Sequence, residues 1–180
     1  MKWNTPYAAL RKWAVAGLMV VAIAMISAVS QAQRPVYEAA ASVGSGLSMG
    51  PGNGRTVMLM SPMYVDLDII YYNDERPKFE LVVGFQAELQ GRVSAGVIPQ
   101  FRITTGPGPF MWYGLLGAPL VFAPFALFGV EAGGGFLWRF SEKFGVFAEL
   151  VVDYFFLGSD LQESGVLIQL DSNVGVRLLF

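Results

Sequence analysis

The stretch FMWYGLLGAPLVFAPFALFGV (residues 110–130) holds no charged side chain. Its length would suit a membrane-spanning helix, which needs roughly 20 apolar residues. A helix here would carry Pro119 and Pro124 in its interior. Each proline removes an i→i−4 hydrogen bond and clashes with the preceding turn, which costs about 3 kcal/mol or more. Membrane helices carry proline where neighbouring helices re-satisfy the backbone, and beyond residue 32 the sequence offers no second apolar helix as neighbour. Alternation gives the better reading. Trp112, Gly114, Leu116, Ala118, Leu120 and Phe122 form one outward row, and Phe128, Val130, Ala132 and Gly134 form the next, with residues 123–127 turning around Pro124. The stretch is predicted to be a strand hairpin.

The period-two pattern extends in both directions. Phe79, Leu81, Val83, Phe85, Ala87 and Leu89 alternate with Glu80, Val82, Gly84, Gln86 and Glu88. After QGR, a three-residue loop centred on glycine, the alternation resumes on Val93, Ala95, Val97, Pro99, Phe101 and Ile103. Further on, Val146, Ala148, Leu150, Val152, Tyr154 and Phe156 alternate with residues that include Glu149 and Asp153. Val166 to Phe180 continues the pattern, with Asp171, Asn173 and Arg177 on the opposite face. Eight strands are predicted, at 36–48, 55–72, 78–89, 93–104, 110–122, 128–140, 144–156 and 165–180. Most exceed the roughly 9–11 residues that a tilted strand needs to cross a bilayer.

The charges choose between a membrane and a water-soluble barrel. Glu38, Asp66, Asp68, Glu80, Glu88, Glu131, Glu149, Asp153 and Asp171, with Lys78, Arg102, Arg139 and Arg177, fall on the row opposite the apolar one, and Arg92 falls at a rim. A lipocalin-like barrel would turn its charges outward to water. Here the charge-free row must face outward, and a sheet can meet lipid only if it closes, because an open edge leaves backbone groups unpaired in hydrocarbon. Tyr71, Tyr72, Phe79, Phe101, Phe110, Trp112, Trp138, Phe140, Phe144, Tyr154, Phe156 and Phe180 gather near strand ends, as interfacial girdles do. The fold class expected is all-β: an eight-stranded antiparallel up-and-down transmembrane barrel over residues 33–180.

Residues 1–32 read as a cleaved signal peptide. Lys2, Arg11 and Lys12 precede an apolar run of about 16 residues, too short for a span, and the small residues Ser30 and Ala32 place cleavage after Ala32. Of the 12 bases, removing those three leaves 9 against 14 acids, a net charge of −5. With no basic patch, nucleic acid is not an expected partner.

The final residues NVGVRLLF resemble the assembly signal of bacterial outer-membrane β-barrel proteins, with Asn173, Gly175, Leu178 and Phe180 at its polar, glycine and two hydrophobic positions. The resemblance implies the outer membrane of a Gram-negative cell and insertion by the barrel-assembly machinery. By size and strand number the chain is similar to the OmpA/OmpX-like eight-stranded type. Its loops are shorter than those members carry, which argues against adhesin-like or receptor roles. Outer-membrane lipid is the expected surrounding, and a monomer is expected.

Chemistry is constrained by what is missing. The chain has no cysteine and no histidine, so it lacks thiolate ligands and the usual general base. Barrel enzymes of similar architecture, the lipid A acyltransferases and deacylases and the omptin proteases, rely on histidine. No enzyme, cofactor or metal site is expected. Met58, Met60 and Met63 are read as adaptable filler rather than as a thioether copper site, and the glycines 133–135 as a bend or bulge. The expected function is a structural or envelope-scaffold role, with a lumen filled by Glu38, Asp66, Asp68, Glu80, Glu88, Arg102, Glu131, Arg139, Glu149, Asp153, Asp171 and Arg177. The alternative is a transport or binding barrel, similar to the OmpW-like family, for small apolar or cationic solutes. The apolar inward row of Met111, Tyr113, Leu115, Gly117, Pro119 and Val121 suggests that alternative.

Overall fold

A computed structural model describes residues 36–52, 55–72, 77–89, 95–123, 126–159, 161 and 165–180. The expected signal peptide with its cleavage after Ala32, the QGR loop and Arg92 lie outside these residues. Ten segments form one antiparallel sheet: β1 (Val36–Gly52), β2 (Arg55–Met60), β3 (Tyr64–Tyr72), β4 (Lys78–Glu88), β5 (Ala95–Thr105), β6 (Phe110–Gly117), β7 (Leu120–Ala123), β8 (Leu127–Arg139), β9 (Phe144–Gly158) and β10 (Leu167–Leu179). β2 and β3 follow one another along β1, while β6 and β7 follow one another between β5 and β8. The ten segments are thus eight staves. β1 pairs with β10 from Glu38↔Leu179 to Met49↔Ile168, which closes the sheet on itself.

Two strands expected to be continuous are broken, and a proline lies at each break. Between β2 and β3, the Ser61 amide donates to the Gly46 carbonyl at 2.8 Å, and Pro62 supplies no donor for the ladder. Between β6 and β7, Ala118 donates to Pro99 at 3.0 Å and Gly129 donates to Pro119 at 3.1 Å, so the neighbours stay in register across the gap. Ala118, expected in the outward row, is buried.

The outer wall is the reverse of a soluble protein's. Among the described strand side chains, no charged one is exposed, whereas Leu67, Ile69, Trp112, Leu116, Leu150 and Val174 are. A continuous apolar surface of this extent is not tolerated in water, and it fits the lipid-facing band of a membrane barrel. Aromatic pairs ring the end where β1 begins: Tyr37–Tyr71, Phe79–Phe101, Phe110–Trp138 and Phe140–Phe144. Phe128, Tyr154 and Phe156 cluster at the other end. Tyr72 corrects the expected girdle. It is buried and points into the barrel, as the parity it shares with Asp66 and Asp68 requires.

The three glycines 133–135 do not make a bulge. Pairing of β8 with both neighbours runs unbroken through them, and the register shift lies at Phe128/Gly129 instead. Gly135 stands opposite Tyr113, and a Cβ there would collide with the tyrosine ring. Glycine at this position lets a large aromatic ring lie flat against the inner wall. Gly135→Val is expected to destabilise the folded barrel by about 1–3 kcal/mol, the usual cost of overpacking, measured as an earlier unfolding transition in detergent. Gly114→Ala is the control, because its Cβ would meet nothing and should leave that transition in place.

Candidate functional site

The lumen is the candidate site, and alternation builds it. Residues of one parity on every stave point inward, so side chains distant in sequence meet across the barrel.

At the end where β1 begins and β10 finishes, the lumen is closed. The Glu38 carboxylate accepts from the guanidiniums of both Arg139 and Arg177, and from the Tyr72 hydroxyl at 2.9 Å. Arg177 also reaches Glu80 at 2.9 Å, and Thr104 donates to Glu80 at 2.9 Å. The Lys78 ammonium stands 4.4 Å over the Tyr72 ring. Two carboxylates thus face two guanidiniums, as burial of charge demands. Ile70 and Leu137 fill the remaining space at 0 % exposure. The layer draws on β1, β3, β4, β5, β8 and β10, so it spans the cross-section.

A second layer lies midway. The buried Arg102 donates to Gln100 at 2.9 and 2.6 Å and to Asp68 at 3.2 Å, and it lies 3.7 Å from Glu149. Its guanidinium also rests 5.4 Å from the Tyr113 ring centre. Glu149 is held in turn by the Tyr113 hydroxyl at 2.8 Å and the Asn173 amide at 2.9 Å. The Tyr64 hydroxyl donates to Asn173 at 2.6 Å. Every formal charge in this layer has a partner.

The remaining half is different. A cavity of about 520 Å³ runs from Arg102 and Glu149 to Leu59, Met60 and Leu127 at the rim away from the plugged end. Asp66, Glu131, Asp153 and Asp171 line it, each at most 8 % exposed. One carboxylate oxygen of each lacks a hydrogen-bond partner, as do one oxygen of Glu80 and one nitrogen each of Arg139 and Arg177 in the closed layer. Glu131 and Asp153 stand directly opposite each other on β8 and β9. Among the described residues lining the cavity, Arg102 is the only base.

The twelve lumen residues named from sequence therefore divide. Glu38, Glu80, Arg139 and Arg177 meet in the first layer, Asp68, Arg102 and Glu149 in the second, and Asp66, Glu88, Glu131, Asp153 and Asp171 line the cavity. Expected filler is thus present in one half of the lumen and open space in the other. Sequence reading missed Tyr64, Tyr72, Gln100, Thr104 and Tyr113 as lumen hydrogen-bonding groups. Their parity relative to the neighbouring charges was the available signal.

The C-terminal residues take two directions. Asn173 points inward, bonded as above, and Gly175 leaves room for the Phe147 ring, which a Cβ would strike. Leu178 and Phe180 continue the outward row of Val174 and Val176. Met58, Met60 and Met63 are exposed, and Met63 lies beyond the break from the other two. Among the described residues no group of three or more acidic side chains is placed to hold a metal ion.

No protein-family model matches the chain, and no curated protein does. Solved structures do. Neisserial surface protein A is similar over 80% of this chain and 97% of its own, at 10% identity and a TM-score of 0.50. A de novo designed transmembrane β-barrel matches over 83% of this chain and 100% of its own, at 14% identity and a TM-score of 0.48. The N-terminal β-barrel domain of Pseudomonas aeruginosa OprF covers 77% of this chain and 97% of its own, at 15% identity and a TM-score of 0.48. At such identities the likeness concerns the fold. The chain has the closed eight-stranded transmembrane β-barrel fold of the OmpA/OmpX-like type.

Proposed function

We propose that this protein is a non-conducting integral barrel of a Gram-negative outer membrane, with a structural role in the envelope and no catalytic activity. The observation that carries this reading is the closed layer of Glu38, Glu80, Arg139 and Arg177, packed with Ile70, Tyr72, Val82 and Leu137. A transport role needs a continuous path, and a solute entering the cavity would meet this layer before reaching the far rim. Absence of histidine and cysteine supports the non-enzymatic reading, since neither the usual proton carrier nor a thiol nucleophile is present. Outer-membrane lipid is the proposed surrounding. The barrel-assembly machinery is the proposed partner during insertion, and nucleic acid is not a partner. The closed barrel is proposed to act as a monomer, because a sheet without edges offers no strand for another copy to extend.

The experiment has two arms. The protein is expected to fractionate with outer membranes and to give a β-type circular dichroism spectrum after refolding in detergent. In planar bilayers the refolded barrel is expected to show no steady single-channel current. Recovery as a soluble periplasmic protein would overturn the membrane reading, and steady cation-favouring channels would overturn the closed-lumen reading in favour of transport.

A further inference from the structure

Three carboxyl side chains touch one another in the open half of the lumen. Glu131 and Asp153 stand directly opposite on β8 and β9, which sets their Cβ atoms about 5 Å apart. Asp153 pairs with Gln169 on β10, and the next inward residue of that stave is Asp171, its diagonal neighbour. The side chains close these gaps. Glu131 meets Asp153 in hydrogen-bonding contact, Asp153 meets Asp171 in the same way, and Asp171 goes on to the hydroxyls of Ser61 and Tyr64. All three acids are buried, and each keeps one oxygen without a donor. A carboxylate only accepts, and two carboxylates sharing one buried site cannot both be ionised. We infer that Glu131, Asp153 and Asp171 form a proton-sharing chain in the folded barrel, so that folding takes up protons and the barrel weakens as the medium turns alkaline. Two contacts among three carboxyls take two protons and leave one negative charge. The inference goes beyond the scaffold role and rests on neither the membrane reading nor the closed lumen.

No cation of the chain does the work of those protons. Among the described residues lining the cavity, Arg102 on β5 is the only base, and Gln100, Asp68 and Glu149 already occupy it. The other titratable groups around the three acids are Glu149 on β9, Asp66, Asp68 and Tyr64 on β3, and Glu88 on β4. Their carboxylates add negative charge, which disfavours a fully ionised chain further. From β1, β7 and β10 the cavity receives the uncharged Ser48, Val121, Gln169 and Asn173. Gly117 lies against the unpartnered oxygen of Glu131, where a Cβ would strike it, so the wall itself keeps water from that atom. The closed layer meets the same difficulty with guanidiniums: its unpartnered Glu80 oxygen lies 2.9 Å from an Arg177 nitrogen. The cavity has no guanidinium to spare, and protons take that place.

In the unfolded chain these carboxyls ionise above about pH 4, whereas the folded chain keeps its protons. Raising the pH therefore favours the unfolded state, by about tenfold in the unfolding constant per pH unit for each proton held. Below about pH 4 both states are protonated and the effect vanishes. The test follows equilibrium unfolding of the full barrel, refolded in a zwitterionic detergent, from about pH 4 upward. The comparison is the double variant Glu131→Gln with Asp153→Asn, whose amide groups donate the same hydrogen bonds without titrating. Both proteins contain the closed layer, so its own pH response cancels in the ratio of their unfolding constants. That ratio, wild type over variant, is expected to rise about tenfold or more per pH unit until the chain gives up its protons. A ratio independent of pH would overturn the proposal. Infrared spectra of the folded wild type supply a second measurement, which stands even where the double variant fails to fold. The carbonyl band of a protonated carboxylic acid is expected at neutral pH and should disappear on alkalinisation. Its absence at neutral pH would equally overturn the proposal.

Discussion

Replacing Glu38 by glutamine is expected to lower the detergent unfolding temperature more than any other single lumen substitution. Glu38 is 1 % exposed and takes both Arg139 and Arg177, together with the Tyr72 hydroxyl. The amide keeps an acceptor oxygen but removes one countercharge, leaving the buried Arg177 with Glu80 as its carboxylate partner and Arg139 without the Glu38 carboxylate. Breaking a buried ion pair typically costs about 3–5 kcal/mol, and here one residue serves two pairs. Arg177→Ala should follow, because it leaves Glu80 without its guanidinium. Arg139→Ala should cost less, since its side chain is 19% exposed and water can replace part of what Glu38 loses. The order Glu38, Arg177, Arg139 is what equilibrium unfolding would check. Unchanged transitions in all three variants would mean that the layer is hydrated, and the non-conducting reading would lose its physical basis.

Much of this layer was legible in the sequence, for a simple reason. Alternation assigns each residue a face, and Glu38, Glu80, Arg139 and Arg177 all fell on the inward one. Partner choice was not legible. Arg177 meets Glu38 across a closing seam between the first and last staves, and Arg139 reaches the same carboxylate from β8. Those meetings depend on how far each stave is shifted along its neighbour, which a period-two pattern does not encode. Tyr72 shows a different failure. Its aromatic character and position at a strand end suggested a girdle, but parity outranks residue type, and the side chain went inward. The cavity was illegible for a third reason. The inward row of β6 and β7 promised volume from Met111, Tyr113, Leu115 and Pro119. Gly117, however, sits opposite Glu131 without a side chain of its own, and Gly44 leaves room for Tyr64 to lean away from the axis. Space in a small barrel is set by such small residues on facing staves, which sequence order keeps far apart.

Phe180→Asp is expected to abolish accumulation in the outer membrane while leaving the refolded barrel as stable as the wild type. The structure separates the two effects. Phe180 is 77% exposed, and its amide makes one long bond, 3.4 Å to the Tyr37 carbonyl. The aspartate therefore removes no buried contact, and near a barrel rim a lipid-facing acid costs about 0–1 kcal/mol. If residues 173–180 act as an assembly signal, what is lost is the outward hydrophobic row that the machinery reads on Val174, Val176, Leu178 and Phe180. Asn173 and Gly175 behave oppositely. Asn173 bridges Tyr64 and Glu149, and Gly175 makes room for Phe147, so Asn173→Ala or Gly175→Val should weaken the refolded barrel itself. The comparison therefore needs both measurements on each variant, unfolding in detergent and membrane level in cells. A Phe180→Asp protein that accumulates normally would show that the terminal pattern is lipid-facing packing alone. One that misfolds in detergent would show that Phe180 contributes to stability despite its exposure.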